Sequence, residues 1–194
     1  MFKKVCLGIL AMLLLSSCGW DDSVSEGASV DPAASKKWLS PFETSSFSLG
    51  IPAAWEVVNN IDGLLPKPNN GSIELAANSV DTQNGFANNI LILSQDLTKT
   101  TSSSDFSLLN NIGVEREYNE YTKLDMKDIT FSSGDVSKLY NFEARYNVDS
   151  PKLKFIQTAA VCADTKWYLL TIALPVGVTD ISKYEDILQT FNCK

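Results

Sequence analysis

Histidine is entirely absent from the 194 residues of this chain. Its absence excludes histidine-based catalytic triads, cysteine–histidine pairs and histidine-containing zinc sites. The nucleophile-elbow order G-x-S-x-G, a phosphate-binding glycine loop and the spacing of an EF-hand are also missing. We therefore expect a protein that is not an enzyme and carries no cofactor or metal.

Basic residues are in the minority. The chain has 16 lysines and arginines against 23 acidic residues, a formal net charge of −7. An acidic surface repels the phosphates of nucleic acids and anionic lipid headgroups. The charges are scattered rather than clustered, which is typical of a solvated surface. We expect no nucleic-acid partner.

Apolar runs long enough to span a bilayer, about 20 residues, are missing as well. A shorter run fills residues 5–15, after Lys3 and Lys4, and is followed by small residues. This order is typical of a secretory signal. The segment ends in the tetrad Leu15-Ser16-Ser17-Cys18, which with Gly19 resembles the lipobox of bacterial lipoproteins.

The lipobox resemblance implies how the chain is processed. In that family a diacylglycerol is attached to the cysteine sulfur, the chain is cut before the cysteine, and a fatty acid such as palmitate caps the new amino terminus. Residues 1–17 would then be a signal peptide, and lipid on Cys18 would be the membrane anchor. An ordinary signal peptide with an incidental cysteine is the alternative.

The residue after the lipidated cysteine helps to sort lipoproteins of this type between membranes. An aspartate there commonly retains the protein in the inner membrane, whereas this chain has Gly19. The resemblance therefore implies residence in the cell outer membrane, facing the periplasm. The alternative is the extracytoplasmic face of an inner or single plasma membrane.

Residues 18–41 are rich in serine, alanine, aspartate, glycine and proline and show no apolar period. This composition predicts a flexible tether with a reach of about 25 Å. Trp20 suits the membrane interface, although it is equally compatible with no role. We expect residues 42–194 to form one globular domain.

Only Cys162 and Cys193 remain as free cysteines once Cys6 is removed with the signal peptide and Cys18 is acylated. An even number of cysteines in an oxidising compartment predicts a disulfide. The alternative is a pair of buried free thiols.

Strands alternate with a helix in the first half of the domain. Apolar alternation over residues 47–51 predicts a strand, and residues 72–77 and 89–94 predict two more, with a hairpin loop at 81–85. Behind a serine and threonine run, Phe106, Leu109 and Ile112 recur at helical spacing up to about residue 121. Gly113 lowers helix propensity there by about 1 kcal/mol, which leaves an interruption open.

The second half is rich in strands. Residues 124–131, 140–148, 153–163 and 166–174 predict antiparallel hairpins. A last helix, capped by Thr179 or Asp180, carries an apolar stripe of Ile181, Tyr184, Ile187, Leu188 and Phe191. This order predicts an α+β fold, an antiparallel β-sheet with helices packed on it.

The ends of the domain resemble the PsbP/Mog1-like fold. The opening residues Phe47-Ser48-Leu49-Gly50-Ile51-Pro52, followed by Trp55, look like its first strand with "P-x-x-W". The apolar strand at 166–174 and the helix around 184–191 look like its end. The resemblance implies an α/β/α sandwich related to lipoproteins of the DcrB type. Proteins with this fold are mostly adaptors and assembly factors.

Two groups of charged residues are candidate sites. Asp125 and Asp128 are three positions apart in a predicted strand, so they face opposite sides and do not converge. Glu115, Glu117 and Glu120 surround Arg116, which is typical of an exposed helix face with weak ion pairs. Neither group predicts catalysis.

Aromatic residues gather in the same region. The group consists of Tyr118, Tyr121, Tyr140, Phe142 and Tyr146. An exposed cluster of this kind would mark a partner surface, but such a stripe more often belongs to a core.

Three functional hypotheses follow. The third, a hydrolase that uses carboxylates or a serine–lysine pair, has the least support in the sequence. The first is a membrane-anchored periplasmic lipoprotein with a non-catalytic binding or assembly-accessory domain, whose partner is another envelope protein. The second is a carrier of a small apolar ligand or lipid, which needs a cavity between sheet and helices.

Overall fold

The computed structural model describes residues 37–59, 65, 68, 71–83, 85–163 and 165–194. The helices in these residues are α1 (Ser103–Glu117) and α2 (Ser182–Gln189). The strands are β1 (Leu39–Glu43), β2 (Phe47–Pro52), β3 (Trp55–Val57), β4 (Ser72–Gln83), β5 (Phe86–Asp96), β6 (Asn119–Thr130), β7 (Val136–Arg145), β8 (Lys152–Cys162), β9 (Lys166–Pro175) and β10 (Asn192–Cys193).

The strands β8 and β9 form the centre of the molecule. Every residue of β9 after Lys166 is buried, and β8 is buried everywhere except at Lys152 and Val161. The two strands pair in antiparallel register from Leu153 opposite Pro175 to Cys162 opposite Lys166. Strands that are apolar on both sides require a sheet that is covered on both faces.

In the part of the chain that the structure describes, all strands pair antiparallel and form two sheets. Seven strands form the larger sheet in the order β3-β4-β5-β9-β8-β7-β6, and three form the smaller one in the order β1-β2-β10. The consecutive strands β6 to β9 are neighbours, as the sequence predicts. The chain crosses from β5 to β6, at the far edge of the sheet, by way of α1.

One face of the large sheet packs against α2 and the small sheet. Phe47 of β2, Tyr168 of β9 and Phe191 after α2 meet there with ring centroids 5.1 to 5.5 Å apart. The stripe predicted for α2 supplies Tyr184, Ile187 and Leu188 to this core. The α1 helix packs on the opposite face, against β7 and β8. The predicted α+β fold is therefore confirmed.

The disulfide between Cys162 and Cys193 is present, with the two Cα atoms 5.6 Å apart. This separation lies inside the range that a disulfide requires. Cys162 ends β8, and Cys193 lies in β10, which pairs with β2 opposite Phe47. The bond therefore ties the C-terminal strand of the small sheet to the centre of the large sheet.

Several predicted boundaries were wrong. The α1 helix continues through Gly113 and ends at Glu117. The hairpin loop is shorter than residues 81–85, because β4 continues to Gln83 and Gly85 turns the chain with a φ of +77°. Strand β7 ends at Arg145, which leaves Val148 outside it and 75% exposed.

The start of α2 also differs from the prediction. The N-cap residue is Ile181, which makes no side-chain capping hydrogen bond. Asp180 accepts hydrogen bonds from the Ser182 backbone N–H at 3.0 Å and from its hydroxyl at 2.7 Å. These bonds lower the pKa of Asp180, because they favour the charged carboxylate.

Neither described helix is long and apolar enough to cross a membrane. Strand β1 begins at Leu39, near the end of the segment predicted as a tether. The predicted signal peptide, Cys18, Trp20 and most of that tether lie outside the described residues.

Candidate functional site

The α1 helix begins at a well-formed cap. Ser102, with a φ of −80° and a ψ of 157°, accepts a hydrogen bond from the Asp105 backbone N–H at 3.0 Å. The Ser102 hydroxyl also donates to the Asp105 carboxylate at 2.8 Å. The first of these bonds satisfies a backbone N–H that a helix start otherwise leaves open. The position of the helix is therefore fixed at its first turn.

Polar side chains form the underside of α1. Ser103, Ser107 and Asn111 are buried at helical spacing. The Ser103 hydroxyl donates to the Asp135 carboxylate and accepts from the Val161 backbone N–H at 2.8 Å. The Ser107 hydroxyl donates to the Lys138 carbonyl at 2.7 Å. Hydrogen bonds therefore hold this end of α1 on the sheet.

A polar chain continues this contact deeper into the sheet. The Asn110 amide donates to Gln157 at 2.9 Å, and the Gln157 amide donates to the Thr171 hydroxyl at 2.9 Å. Gln157 is only 2% exposed. A buried amide of this kind stabilises the fold only while its hydrogen-bond partners are present, because an unpaired buried polar group lowers the free energy of unfolding.

The outer face of α1 is instead apolar at its centre, with one charged residue near each end. We define it as Asp105, Leu108, Leu109, Ile112, Gly113 and Arg116. The exposed fractions of Leu108, Leu109 and Ile112 are 47%, 62% and 41%. Helices on globular proteins normally place their apolar stripe toward the core. Leu109 and Ile112, which the sequence predicts on the buried face, therefore face solvent. Of the three apolar residues predicted on that face, only Phe106 packs inward, against Trp167.

Three large aliphatic side chains that are exposed together are a stronger signal than one exposed leucine. Scattered exposed apolar residues are normal, whereas contiguous patches mark interaction surfaces. The buried hydrogen bonds of Ser103, Ser107 and Asn110 explain why the helix does not rotate to hide the leucines. The outer face of α1 is therefore the candidate docking surface.

The neighbouring strand β6 is an open edge of the large sheet. Leu124 and Met126 are 45% and 43% exposed. Lys127 pairs with Glu185 at 2.7 Å, and Glu120 pairs with Arg145 at 2.8 Å. The register of β6 against β7 shifts twice. Charged residues and irregularities of this kind discourage strand addition at an edge.

Asp125 and Asp128 do not converge, as their spacing in the sequence predicts. Asp125 lies opposite Asn141 and Asp128 lies opposite Lys138, so the two acids point to opposite faces. Asp128 forms an ion pair with Lys138. In the described part of the chain, no three histidine, cysteine, aspartate or glutamate residues are grouped to hold a metal ion.

The acidic group around Arg116 is divided between two elements. Glu115, Arg116 and Glu117 are exposed at the end of α1, as the sequence predicts. Glu120 instead lies in β6 with a φ of 52°. Arg116 belongs to the outer face of α1, whereas Glu120 pairs with Arg145 of β7, so these charges do not form a separate site.

The aromatic group is mostly core. Phe142 is fully buried and stacks on Phe155, with ring centroids 5.2 Å apart. Tyr118 and Tyr121 pack against Phe142. Burial raises the pKa of Tyr118, Tyr121 and Tyr140, because it disfavours the phenolate.

A shallow cavity of about 280 Å³ lies on the outside of the small sheet. Its lining mixes apolar and polar residues, among them Leu39, Glu43, Gly50 and Thr190. Ligand pockets are usually about 300–1,000 Å³ and mostly apolar. This cavity is not the space between sheet and helices that a carrier of apolar ligands requires.

Sequence reasoning missed the reversed polarity of α1. The signal was present, because Ser103, Ser107, Asn111 and Val114 recur at helical spacing just as Phe106, Leu109 and Ile112 do. Periodicity alone favours the apolar set as the buried one.

The chain matches no protein-family model. It matches no curated protein sequence. The solution structure of cyanobacterial PsbP (CyanoP) from Synechocystis sp. PCC 6803 is similar to it, with a TM-score of 0.53 and 14% sequence identity. That similarity covers 93% of this chain and 99% of the cyanobacterial chain. The domain therefore has a PsbP-like fold.

Two further structures are similar at lower TM-scores. A Pseudomonas aeruginosa protein of unknown function gives 0.47 at 13% identity, over 78% of this chain and 94% of that one. A Bacteroides thetaiotaomicron protein gives 0.46 at 10% identity, over 76% of this chain and 45% of that one.

Proposed function

We propose that this chain is a membrane-anchored lipoprotein of the bacterial envelope whose domain is a non-catalytic binding or assembly-accessory module. The outer face of α1 is its docking surface, and its partner is a protein. The observation that carries this proposal is the exposure of Leu108, Leu109 and Ile112 on a helix whose buried residues are mostly polar.

The free energy of apolar burial supports this role. Burial of an exposed leucine or isoleucine side chain releases about 1.5–3 kcal/mol when it is complete. The apolar side chains on the outer face of α1 remain partly exposed in the isolated chain. A partner that covers them gains binding free energy from their burial. The capping of α1 at Ser102 fixes the surface before a partner arrives, which lowers the entropic cost of binding.

The proposed anchor is lipid on Cys18, in the outer membrane and facing the periplasm. The lipobox tetrad and Gly19 support it. The PsbP-like fold supports an accessory role, because the proteins that the sequence resembles are mostly adaptors and assembly factors. A fold by itself does not transfer a function, so the proposed role rests on the α1 surface.

Photo-crosslinking from the surface of α1 tests the proposal. A photoreactive amino acid replaces Leu109 in the full chain, which is produced in a bacterial envelope and irradiated in intact cells. The matched control replaces Val148, an apolar residue that is 75% exposed outside the proposed surface.

We expect a discrete protein adduct from position 109 and none from position 148. Absence of any protein adduct at 109, or equal adducts at both positions, would overturn the proposal. The identity of the crosslinked protein shows whether the partner is a second copy of this chain or a different protein.

A further inference from the structure

We infer that the partner of the outer face of α1 is a second copy of this chain, and that the two α1 helices pack antiparallel about a two-fold axis. The inference rests on the proposed function, because it names the occupant of the same surface. Closed two-fold dimers are the commonest protein oligomers, and their interface must be complementary to itself.

The charges on the outer face of α1 have this self-complementarity. Asp105 and Arg116 are both exposed, and they lie equally far from the midpoint between residues 110 and 111. A two-fold axis through that midpoint places Asp105 of each copy beside Arg116 of the other. The two contacts have opposite charge, whereas a parallel pairing of the helices would oppose like charges.

The apolar residues share the same midpoint. Leu109 and Ile112 are also equally far from it, and they occupy the centre of the outer face. At a rise of about 1.5 Å per residue, each lies roughly 2 Å along the helix from the axis. Leu109 therefore meets its own copy and Gly113 of the partner copy, while Ile112 meets its own copy and Leu108 of the partner copy.

Nothing in the surroundings of Gly113 within its own domain requires a glycine at this position. Its φ is not positive, and a Cβ atom built there meets nothing within 4 Å. Glycine in a helix interior lowers helix propensity, so its position needs another reason. The missing side chain leaves a gap on the outer face into which Leu109 of the partner copy fits, and it allows the axes to approach to about 8 Å.

The electrostatics of the helix ends favour the same arrangement. Antiparallel packing places the partly positive start of one α1 beside the partly negative end of the other. A helix of 15 residues offers a small contact area, so the pairing belongs to the weak class of interfaces below about 1,200 Å². Two copies confined to one membrane surface meet often enough for such an interface to form.

Charge reversal in differently tagged copies tests this geometry. The full chain is produced in a bacterial envelope with two different epitope tags, fixed with a short lysine-reactive crosslinker, and isolated through one tag. Asp105→Arg and Arg116→Asp each place like charges at both ends of the helix pair. We expect about tenfold fewer mixed-tag pairs when both tagged copies carry the same reversal.

The decisive mixture combines one tagged copy carrying Asp105→Arg with the other carrying Arg116→Asp. Each end then again joins opposite charges, so mixed-tag pairs should return to the unmodified level. Only antiparallel contact between two copies predicts this rescue. If the mixture recovers no pairs, or if single reversals change nothing, the inference is wrong.

Gly113→Leu provides a second variant that does not disturb the cap. A Cβ atom at this position meets nothing within 4 Å in its own domain, whereas a leucine side chain there fills the gap between the copies. We expect an unchanged circular dichroism spectrum and about tenfold fewer pairs. Unchanged pairing would contradict the inference. A Leu109 adduct with a different protein would also overturn it, while leaving the proposed function intact.

Discussion

The hydroxyl of Ser103, in the first turn of α1, accepts a hydrogen bond from the backbone N–H of Val161 in β8 at 2.8 Å. The same hydroxyl donates to the Asp135 carboxylate. Ser103 is 2% exposed, whereas Leu109 on the other side of the helix is 62% exposed. Polar contacts therefore decide which face of α1 reaches solvent.

Substitution of Ser103 should destabilise the domain more than substitution of Leu109. Ser103→Ala leaves the Val161 N–H and the Asp135 carboxylate without this partner, and it should lower the free energy of unfolding by about 1–3 kcal/mol. Leu109→Gln preserves helix propensity on an exposed site and should change it by less than about 0.5 kcal/mol. Urea denaturation measures both, and the reverse order would contradict the orientation of α1.

Reduction of the Cys162–Cys193 disulfide should weaken the fold without abolishing it. The bond closes a loop with a sequence separation of 31 residues, for which the chain-entropy model gives about 3.5 kcal/mol. Thermal melting with and without reductant measures the loss. The double variant Cys162→Ala, Cys193→Ala is the control and should not respond to reductant.

Glycine replacements should have opposite effects at two positions. Gly113→Ala should raise the free energy of unfolding by up to about 1 kcal/mol, because the added Cβ meets nothing within 4 Å. Gly71→Ala should lower it, because Gly71 has a φ of +81° and a Cβ there would lie 2.0 Å from the Ser94 carbonyl oxygen. Chemical denaturation distinguishes them, and stabilisation by both would disprove the argument.

The tyrosines beside α1 should make the fold sensitive to alkali. Burial raises the pKa of Tyr118, Tyr121 and Tyr140 in the folded chain. Because the folded pKa exceeds the unfolded value of about 10, their contribution is fully present below about pH 10 and is lost as the pH rises further. Stability measured from pH 8 to 12 should therefore fall.

Tyr140→Phe tests the origin of this alkaline loss. The Tyr140 hydroxyl is buried without a hydrogen-bond partner among the described residues. The free energy of unfolding of the variant should fall less steeply above pH 10 than that of the unmodified chain, and it should be at least as high at pH 7. An identical alkaline slope together with lower stability at pH 7 would show that the hydroxyl has a favourable partner.

Lipid attachment at Cys18 remains a prediction from the lipobox. Cys18→Ser should leave an unprocessed or soluble product, which mass spectrometry and membrane fractionation detect. Gly19→Asp is the sorting variant and should move the protein from the outer to the inner membrane. Normal processing and attachment of Cys18→Ser would refute the lipid anchor.

The sequence by itself determined the sheet and its cover. Apolar runs separated by turn residues identified β6 to β9 as consecutive antiparallel strands, which the pairing of β6 with β7, β7 with β8 and β8 with β9 confirms. The stripe on α2 identified its buried face, and two cysteines left in an oxidising compartment predicted their bond. The strands and the buried face of α2 follow from local periodicity, and the disulfide follows from the number of cysteines. Both can be read directly from a sequence.

Only the tertiary structure decided how α1 lies on that sheet. Two stripes, one polar and one apolar, recur at helical spacing in residues 103–117, and periodicity favours burial of the apolar one. The polar stripe is buried because its hydrogen-bond partners come from β7 and β8, 31 residues beyond Ser107 and 58 beyond Ser103. A hydrogen bond to a distant strand stabilises a helix only after the fold has brought that strand beneath it, so the local pattern shows both stripes but not which of them is buried.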